Sequence, residues 1–506
     1  MATLSDFRNE RLRKLAELHE LGINSYPSKS YKNADVADIV NHFETTEGKQ
    51  FTVSGRVMSL RKFGKLAFVV IRDASASMQL FIHDGTLAPL DAEKGLLGIK
   101  QLSLLDTGDF IEATGTVIKT KTGEISLDTS TLRLLSKSLR PMPLQHEEFS
   151  DKEERLRRRY IDININQAVR ERFLRRSKFW KSTKQFLDDH GFVEMNIPVL
   201  EATTGGADAN PFVTHMDALD QDFYLRISHE LPLKRLLGAG YEKVYDVGPR
   251  FRNEGMTEEH LPEHNAMEWY WAYANWEDGM KLTEDMVRYI ADNTWGTRQF
   301  TLMDGTTIDL GKDGESFPRM SFVEVIKECY GIDVFNTTIE EVAATLREHN
   351  LEVEKTDSIG RGIDKLWKKI RKDTAGPVFL VDIPVFLQPL AKKQAADPRL
   401  TEQFNLVLGG TEACKAYSEL NDPVDQLERF VEQQNLRDSG DDEAMMLDID
   451  FVEMLEYGMP PACGYGHSER LFWILEGVTA REGVIFPQMR RDVSSTTKSI
   501  YPDLNL

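Results

Sequence analysis

Residues 250–273 read RFRNEGMTEEHLPEHNAMEWYWAY, and the fold turns on how that stretch is laid out. Its two ends have the composition of strands. Side chains of an extended chain alternate between faces, so Arg250, Arg252 and Glu254 share one face while Phe251 takes the other. In the second segment His264, Ala266, Glu268 and Tyr270 share a face opposite Trp269 and Trp271. Gly255, Pro262 and the polar residues near them mark the connection. The implied unit is a hairpin with a long loop. Charged strand faces are usually solvated and aromatic ones usually pack a core. Here cations stand beside carboxylates, which suits a substrate that is itself both anionic and cationic.

The rest of the chain bounds what that hairpin belongs to. At 506 residues it should hold two or more domains. With 41% hydrophobic and 28% charged residues it has an ordinary globular composition. No apolar run approaches the roughly 18–20 residues needed to span a bilayer, and the N-terminus lacks the pattern of a signal or transit peptide. Cys329, Cys414 and Cys463 show neither metal-ligand spacing nor even pairing, which fits a reducing cytoplasm. The net charge of −20 argues against a general nucleic-acid coat protein. Local basic runs at 155–159 and 170–184 read as solvated helix faces.

Three sections are visible. After an N-terminal helical segment (1–50), FTVSGRVMSL, KLAFVVIRD, SMQLFIHDG, DFIEATGTVIKT and GEISLDTSTLRLLS read as five short strands, which predicts a small barrel of the OB type over 51–140. A linker follows at 141–160. From Asn166 a long amphipathic helix places Val169, Phe173, Trp180 and Leu187 on one side and stops at Gly191. Pro198 marks an edge or irregular strand. Strands then alternate with helices to the C-terminus, with a mixed insertion at about 300–377 inside a domain that runs over 161–506.

The opening stretch resembles motif 2 of the class II aminoacyl-tRNA synthetases in its lysine-type form: F-R-N-E-G, then H-x-P-E, then E-x-Y-x-A-Y. Over nearly the whole chain the order of sections resembles the class II lysyl-tRNA synthetases. The stretches LRKLAELHELGINSYP, LLSKSLRPMP, DKEERLRRRYIDI, TGGADANPF, EWYWAYANWED, AYSELNDP and GDDEAM carry it. The resemblance implies an α+β fold. An N-terminal OB-fold barrel reads the anticodon, and a catalytic domain follows with an antiparallel sheet flanked by helices. It also implies a homodimer formed through the long helix and the Pro198 strand. Its substrates would be ATP, L-lysine and tRNA(Lys), with Mg²⁺.

Such an enzyme joins an amino-acid carboxylate to the α-phosphorus of ATP, then passes the acyl group to a tRNA ribose hydroxyl. The carboxylate is already a nucleophile, so positioning and charge neutralisation do the catalysis. By resemblance Arg252 bridges the α-phosphate and the substrate carboxylate, with a fork that Lys cannot reproduce. Glu254 holds adenine or orients Arg252, His260 contacts the triphosphate, and Arg470, in CGYGHSERLFWIL, contacts the γ-phosphate. Glu412 ligates Mg²⁺, with Glu419 and Asn405 as further candidate ligands. Gly206, Glu230, Glu268, Tyr270, Lys415, Tyr417 and Glu419 line the amino-acid slot. Glu419 with Tyr270 takes the ε-ammonium, and Glu230 the α-amino group. In the barrel Phe68, Gln79 and Glu124 stack on or hydrogen-bond anticodon bases.

Four positions leave the family pattern. His264 stands where the family stacks a Phe on adenine, which implies a weaker grip sensitive to protonation. Asn405 replaces a metal glutamate, Lys415 replaces an asparagine that binds the substrate, and the glycine spacing before Arg470 is one residue short. They keep two other readings open. One is a synthetase-like enzyme that activates another amino acid or uses a protein acceptor, as the elongation factor P lysyl-ligases do without a barrel. The other is a non-catalytic RNA-binding regulator.

Overall fold

The computed structural model describes residues 3–143, 149–354, 358–440 and 444–504. Residues 441–443 of the GDDEAM stretch lie outside them. The chain divides into two compact units, Met1–Ile165 with Met489–Leu506, and Asn166–Gln488.

In the first unit the helix Leu4–Glu20 starts at a capping box in which the Thr3 and Asp6 side chains satisfy each other's backbone N–H groups. Five strands follow: β1 (Gln50–Phe63), β2 (Leu66–Arg72), β3 (Ser77–His83), β4 (Phe110–Lys119) and β5 (Ile125–Ser136). They close into the expected barrel in the order β1-β2-β3-β5-β4, with only β3 and β5 parallel. Alternation fills it with Val69, Ile71, Leu80, Ile82, Ala113 and Leu127. Closure needs a sharp bend where β4 meets β5. A side chain at Gly115 would lie 2.2 Å from the Asp128 carbonyl oxygen, and the register shifts there.

The second unit contributes β6 (Val193–Glu194), β7 (Leu200–Glu201), β8 (Phe212–Met216), β9 (Gln221–Leu225), β10 (Lys243–Phe251), β11 (Glu263–Ala272), β12 (Gln299–Thr301), β13 (Thr307–Asp309), β14 (Arg319–Ser321), β15 (Val378–Val381), β16 (Gln403–Leu408), β17 (Thr411–Ser418) and β18 (Ala462–Ser468). Eight of these form one sheet in the order β14-β15-β16-β17-β18-β11-β10-β6. Its centre is antiparallel as expected, but the edge pairs β14–β15 and β10–β6 are parallel, so the sheet is mixed. Both edges are reached through helical crossovers, which permit parallel pairing.

The quoted hairpin is β10–β11, paired from Lys243↔Trp271 to Phe251↔Glu263. Its first strand ends at Phe251, so Arg252 and Glu254 belong to the loop rather than to an alternating strand face. The faces of β11 separate as read. Met267 and Trp269 are fully buried, and Trp269 stacks on Tyr465 of β18 at 5.2 Å with an interplanar angle of 8°. Helices Gln167–Asp189 and Trp276–Trp295 cover that side. The buried stripe of Gln167–Asp189 centres on Phe179, Phe186 and Leu187, leaving Phe173 and Trp180 half-buried at its border.

Truncating Trp269 removes the stacked ring and leaves a cavity in a close-packed core. Trp269→Ala should destabilise the second unit by about 3–5 kcal/mol, read as a lowered denaturation midpoint. Trp271→Ala, at a half-buried position, should cost clearly less.

Candidate active site

On the other face of the sheet the central strand β18 presents Gly464 and Gly466 between two walls of large side chains. Tyr270 and Tyr417 flank Gly464 from β11 and β17, and Glu268 and Lys415 flank Gly466. A Cβ on Gly464 would fall 2.0 Å from Glu419 Oε1 and 2.4 Å from Tyr270 Cε1. The altered glycine spacing therefore still leaves bare backbone under a cavity of about 330 Å³. His467, between them and Arg470, turns to the core and stacks on Trp180.

Strict alternation would put Glu412 on the opposite face of β17 from Lys415 and Tyr417. The register shifts so that Glu412 pairs with Val407 while Cys414 pairs with Leu406. This bulge at Ala413 returns Glu412 to the cavity, a re-aiming that strand pattern alone does not reveal.

Of the residues read as ATP- or amino-acid-binding, Gly206, Glu230, Arg252, Glu254, His260, His264, Glu268, Tyr270, Glu412, Lys415, Tyr417 and Arg470 line this one cavity. Glu419 and Asn405 do not. Glu419 is fully buried over Gly464, and its Oε2 is 2.6 Å from Nζ of Lys234, a fully buried lysine that also lies 3.2 Å from Glu230 Oε1. Lys234 thus takes one oxygen of the Glu419 carboxylate, while among the described residues the other, Oε1, is buried without a hydrogen-bond partner. Asn405 accepts a hydrogen bond from Gln403 and donates one of 3.0 Å to Glu412, so it positions Glu412 rather than offering an oxygen to the cavity.

The amino-acid end is dense in carboxylate. Tyr417 donates a 2.6 Å hydrogen bond to Glu230, and Tyr270 donates one of 3.0 Å to Glu268. Tyr270 is thus committed to Glu268 rather than to Glu419. Glu268 also accepts from the Ser228 hydroxyl, the His229 N–H and Arg250, all at 2.9–3.2 Å. Burial opposes its charge, but His229 and Arg250 hold its carboxyl far below the usual range. Burial pushes Glu230 and Glu419 up, with Lys234 as the main offset. Gly206 sits at φ +84°, where a Cβ would meet Glu230 and Ser228 within 3 Å.

The opposite end is cationic. Arg470 opens the helix Arg470–Glu476, and burial holds its guanidinium down to about 10. Arg252 follows β10, with its N–H bonded to the Pro262 carbonyl oxygen. His260 Nδ1 lies 2.8 Å from the Thr257 hydroxyl, and burial lowers its pKa to about 4. Burial, reinforced by Arg250 and Arg252, holds the His264 ring well below its ordinary pKa as well. Glu412 accepts 2.6 Å and 3.0 Å hydrogen bonds from Trp367 Nε1 and Asn405, one on each oxygen. Lys415 is exposed on the cavity wall, 5.9 Å from the Tyr417 ring centre, and among the described residues no carboxylate pairs with it.

In the barrel Phe68 faces outward, since Ala67 and Val69 take the interior. It packs on Phe81 at 5.5 Å and Phe63 at 6.2 Å, and Phe81 in turn on His83 at 5.0 Å. Gln79 donates a 3.0 Å hydrogen bond to Ser126, and Glu124 is exposed in the turn before β5. The period of two in SMQLFIH signals Phe81 and His83 as members of this strip, and the spacing ELPLK signals Lys234 one helical turn after Glu230. Both went unread. Trp367 and Arg371, near the end of the 300–377 segment, carry no local signal.

Residues 151–490 match the model of the tRNA synthetases class II (D, K and N) family, and residues 51–135 that of the OB-fold nucleic acid binding domain. Among curated relatives, proteins named lysine–tRNA ligase from Fervidobacterium nodosum, Thermotoga maritima and Clostridium perfringens are 41%, 39% and 40% identical. Each alignment covers 96% of this chain and 94%, 96% and 97% of the relative, respectively. The chain, with its barrel and its glycine-floored cavity, belongs to the class II aminoacyl-tRNA synthetases of the D, K and N group.

Proposed function

We propose that this chain is a lysine–tRNA ligase, activating L-lysine with ATP and transferring the lysyl group to tRNA(Lys). The observation that carries the amino-acid choice is the pair Glu230 and Glu419 sharing the single ammonium of Lys234. Two buried carboxyls share one cation, so burial pushes both pKa values up, and an incoming ammonium would supply the counter-ion that lets both ionise. The relatives named lysine–tRNA ligase support the same choice. Lys415 stands further along β17, paired in register with Gly466, where it faces carboxylate and phosphate rather than the ammonium.

In the first step a carboxylate oxygen of lysine bonds to the α-phosphorus while the bond to the pyrophosphate oxygen breaks. Arg252 holds the carboxylate and the α-phosphate in line. Arg470 and His260 take the departing phosphates, Glu254 orients Arg252 or the adenine amino group, and His264 stacks on adenine. Glu230 with Glu268 and the Gly206 backbone receives the α-amino group. In the second step a tRNA ribose hydroxyl attacks the carbonyl carbon, the bond to the AMP phosphate oxygen breaks, and the hydroxyl proton passes to the departing AMP phosphate or to water.

Mg²⁺ fits the donors in reduced form. Glu412 offers one hard carboxylate to the cavity, held by Trp367 and Asn405 with lone pairs to spare, and Mg²⁺ commonly takes one or two carboxylates plus phosphate oxygens. Bound there, it neutralises charge on the phosphates.

The aromatic strip Phe63, Phe68, Phe81 and His83 supports base stacking on the anticodon loop, with Gln79 and Glu124 at its margin. A homodimer is supported by exposed Leu174, Val193 and Leu200 on the long helix and the strands after it. Three free cysteines, and no described helix long and apolar enough to cross a membrane, support a cytoplasmic location.

Amino-acid-dependent ATP–pyrophosphate exchange tests the reading. Lysine should support exchange well above every other proteinogenic amino acid; exchange with none, or with a different one, overturns it. Arg252→Ala should lower exchange by about a hundredfold or more with an unchanged melting temperature. In the barrel, Phe68→Ala should raise the KM for tRNA about tenfold or more, as expected for a lost stacking contact, and leave exchange intact.

A further inference from the structure

The end of the helix Ile359–Ile370 and the turn Arg371–Asp373 bring segment 300–377 against two residues of the cavity wall, Glu412 through Trp367 and Glu259 through Arg371. Trp367 and Arg371 are four residues apart in helical backbone and so project from one face. Their backbone is held against the β16–β17 turn. Gly409 and Gly410 donate N–H groups to the Ala375 and Thr374 carbonyl oxygens at 2.7 Å and 2.9 Å. Both glycines are left-handed, at φ +56° and +69°, and a Cβ on Gly410 would stand 3.0 Å from the Lys372 backbone. Two residues later the chain reaches Glu412, which Trp367 grips.

Arg371 extends from the same face toward the cationic end. Its side chain is 11% exposed, and its Nη2 lies 3.6 Å from Glu259 Oε2, too long for a hydrogen bond. Among the described residues, Nε of Arg252, Arg371 and Arg470 and that Glu259 oxygen are buried without hydrogen-bond partners. Arg470 feels Glu259, Arg371 and Arg252 together. Arg371 and Arg470 thus share one loop carboxylate, and Arg252 stands close enough to repel Arg470, with donors left over. That is an arrangement for a polyanion with more oxygens than Glu259 supplies.

We propose that Arg371 binds the β- and γ-phosphates of ATP, and that Glu259 occupies the phosphate position as a counter-anion until the nucleotide displaces it. This rests on the adenylation reading above. The motif 2 loop and the inserted segment then close on the same triphosphate from opposite sides, and the loop carboxylate exchanges places with it.

Calorimetric binding of ATP and of AMP to the full chain separates the two ends of the nucleotide. Arg371→Ala should weaken ATP about tenfold and leave AMP unchanged, as expected for a lost guanidinium–phosphate contact. Arg371→Lys should fall between, and reads the same ATP/AMP ratio should the alanine variant fail to fold. Glu259→Gln should tighten ATP several-fold with AMP unchanged. Equal loss of ATP and AMP, or no loss of either, in the Arg371 variants overturns the assignment; weaker or unchanged ATP binding by Glu259→Gln overturns the exchange of anions. Wild-type exchange with lysine tests the ligase reading separately: its failure alongside an intact ATP/AMP effect sinks that reading and spares Arg371.

Discussion

Bare backbone at Gly464 and Gly466 is the constraint on which the second unit is organised. The strand that carries them lies at the centre of an eight-stranded sheet, where a side chain would be expected on each face. On one face Tyr465 supplies it and stacks on Trp269. On the other, β18 itself projects nothing, and side chains of Tyr270, Glu268 and Glu419 close over the bare backbone, the first two lining the cavity. Even a methyl group at Gly464 would strike Glu419 and Tyr270. The core side and the reactive side are therefore two faces of the same three strands, and packing on one fixes geometry on the other.

The cavity walls then separate charge by distance along those strands. Carboxylates gather where β11 and β17 flank Gly464, and guanidiniums where the motif 2 loop and the helix after β18 meet. Such burial is expensive. Removing one partner of a buried pair such as Glu419–Lys234 typically costs about 3–5 kcal/mol, whereas apolar residues of equal volume are often neutral or better. A chain selected for stability alone has no reason to keep Lys234 fully buried between two acids. A slot that must accept an ammonium does.

How much of this was legible in the sequence depends on what kind of information each residue carried. Alternation placed Glu268 and Tyr270 opposite Trp269 because the side-chain period of a regular strand is a local property. The five barrel strands were legible for the same reason, as was the outward position open to Phe68. Irregular or non-local features were not. The bulge at Ala413 reverses the facing of Glu412, and β10 stops one residue before Arg252. Resemblance carried Glu419 and Asn405 over as metal candidates, but their neighbours decide what they do. An ammonium from a helix 185 positions away in sequence takes one, and Gln403 and Glu412 absorb the other. His264 shows the same lesson in electrostatics: burial and two arginines, none of them legible from its own residue type, push its pKa down.

Those tertiary details also bear on the competing readings. An RNA-binding regulator needs the barrel and its aromatic strip but has no use for the second unit's cavity. Guanidinium groups of Arg252, Arg371 and Arg470, held near one another with Nε atoms unpartnered, raise the energy of the unliganded chain. Relief comes from a polyanion, and only in part from Glu259. A ligase that modifies a protein lysine would share this site yet has no need of an OB-fold over residues 51–135. An enzyme that must hold a triphosphate at one end, an ammonium at the other and an RNA loop on a separate unit has a physical reason to retain all three.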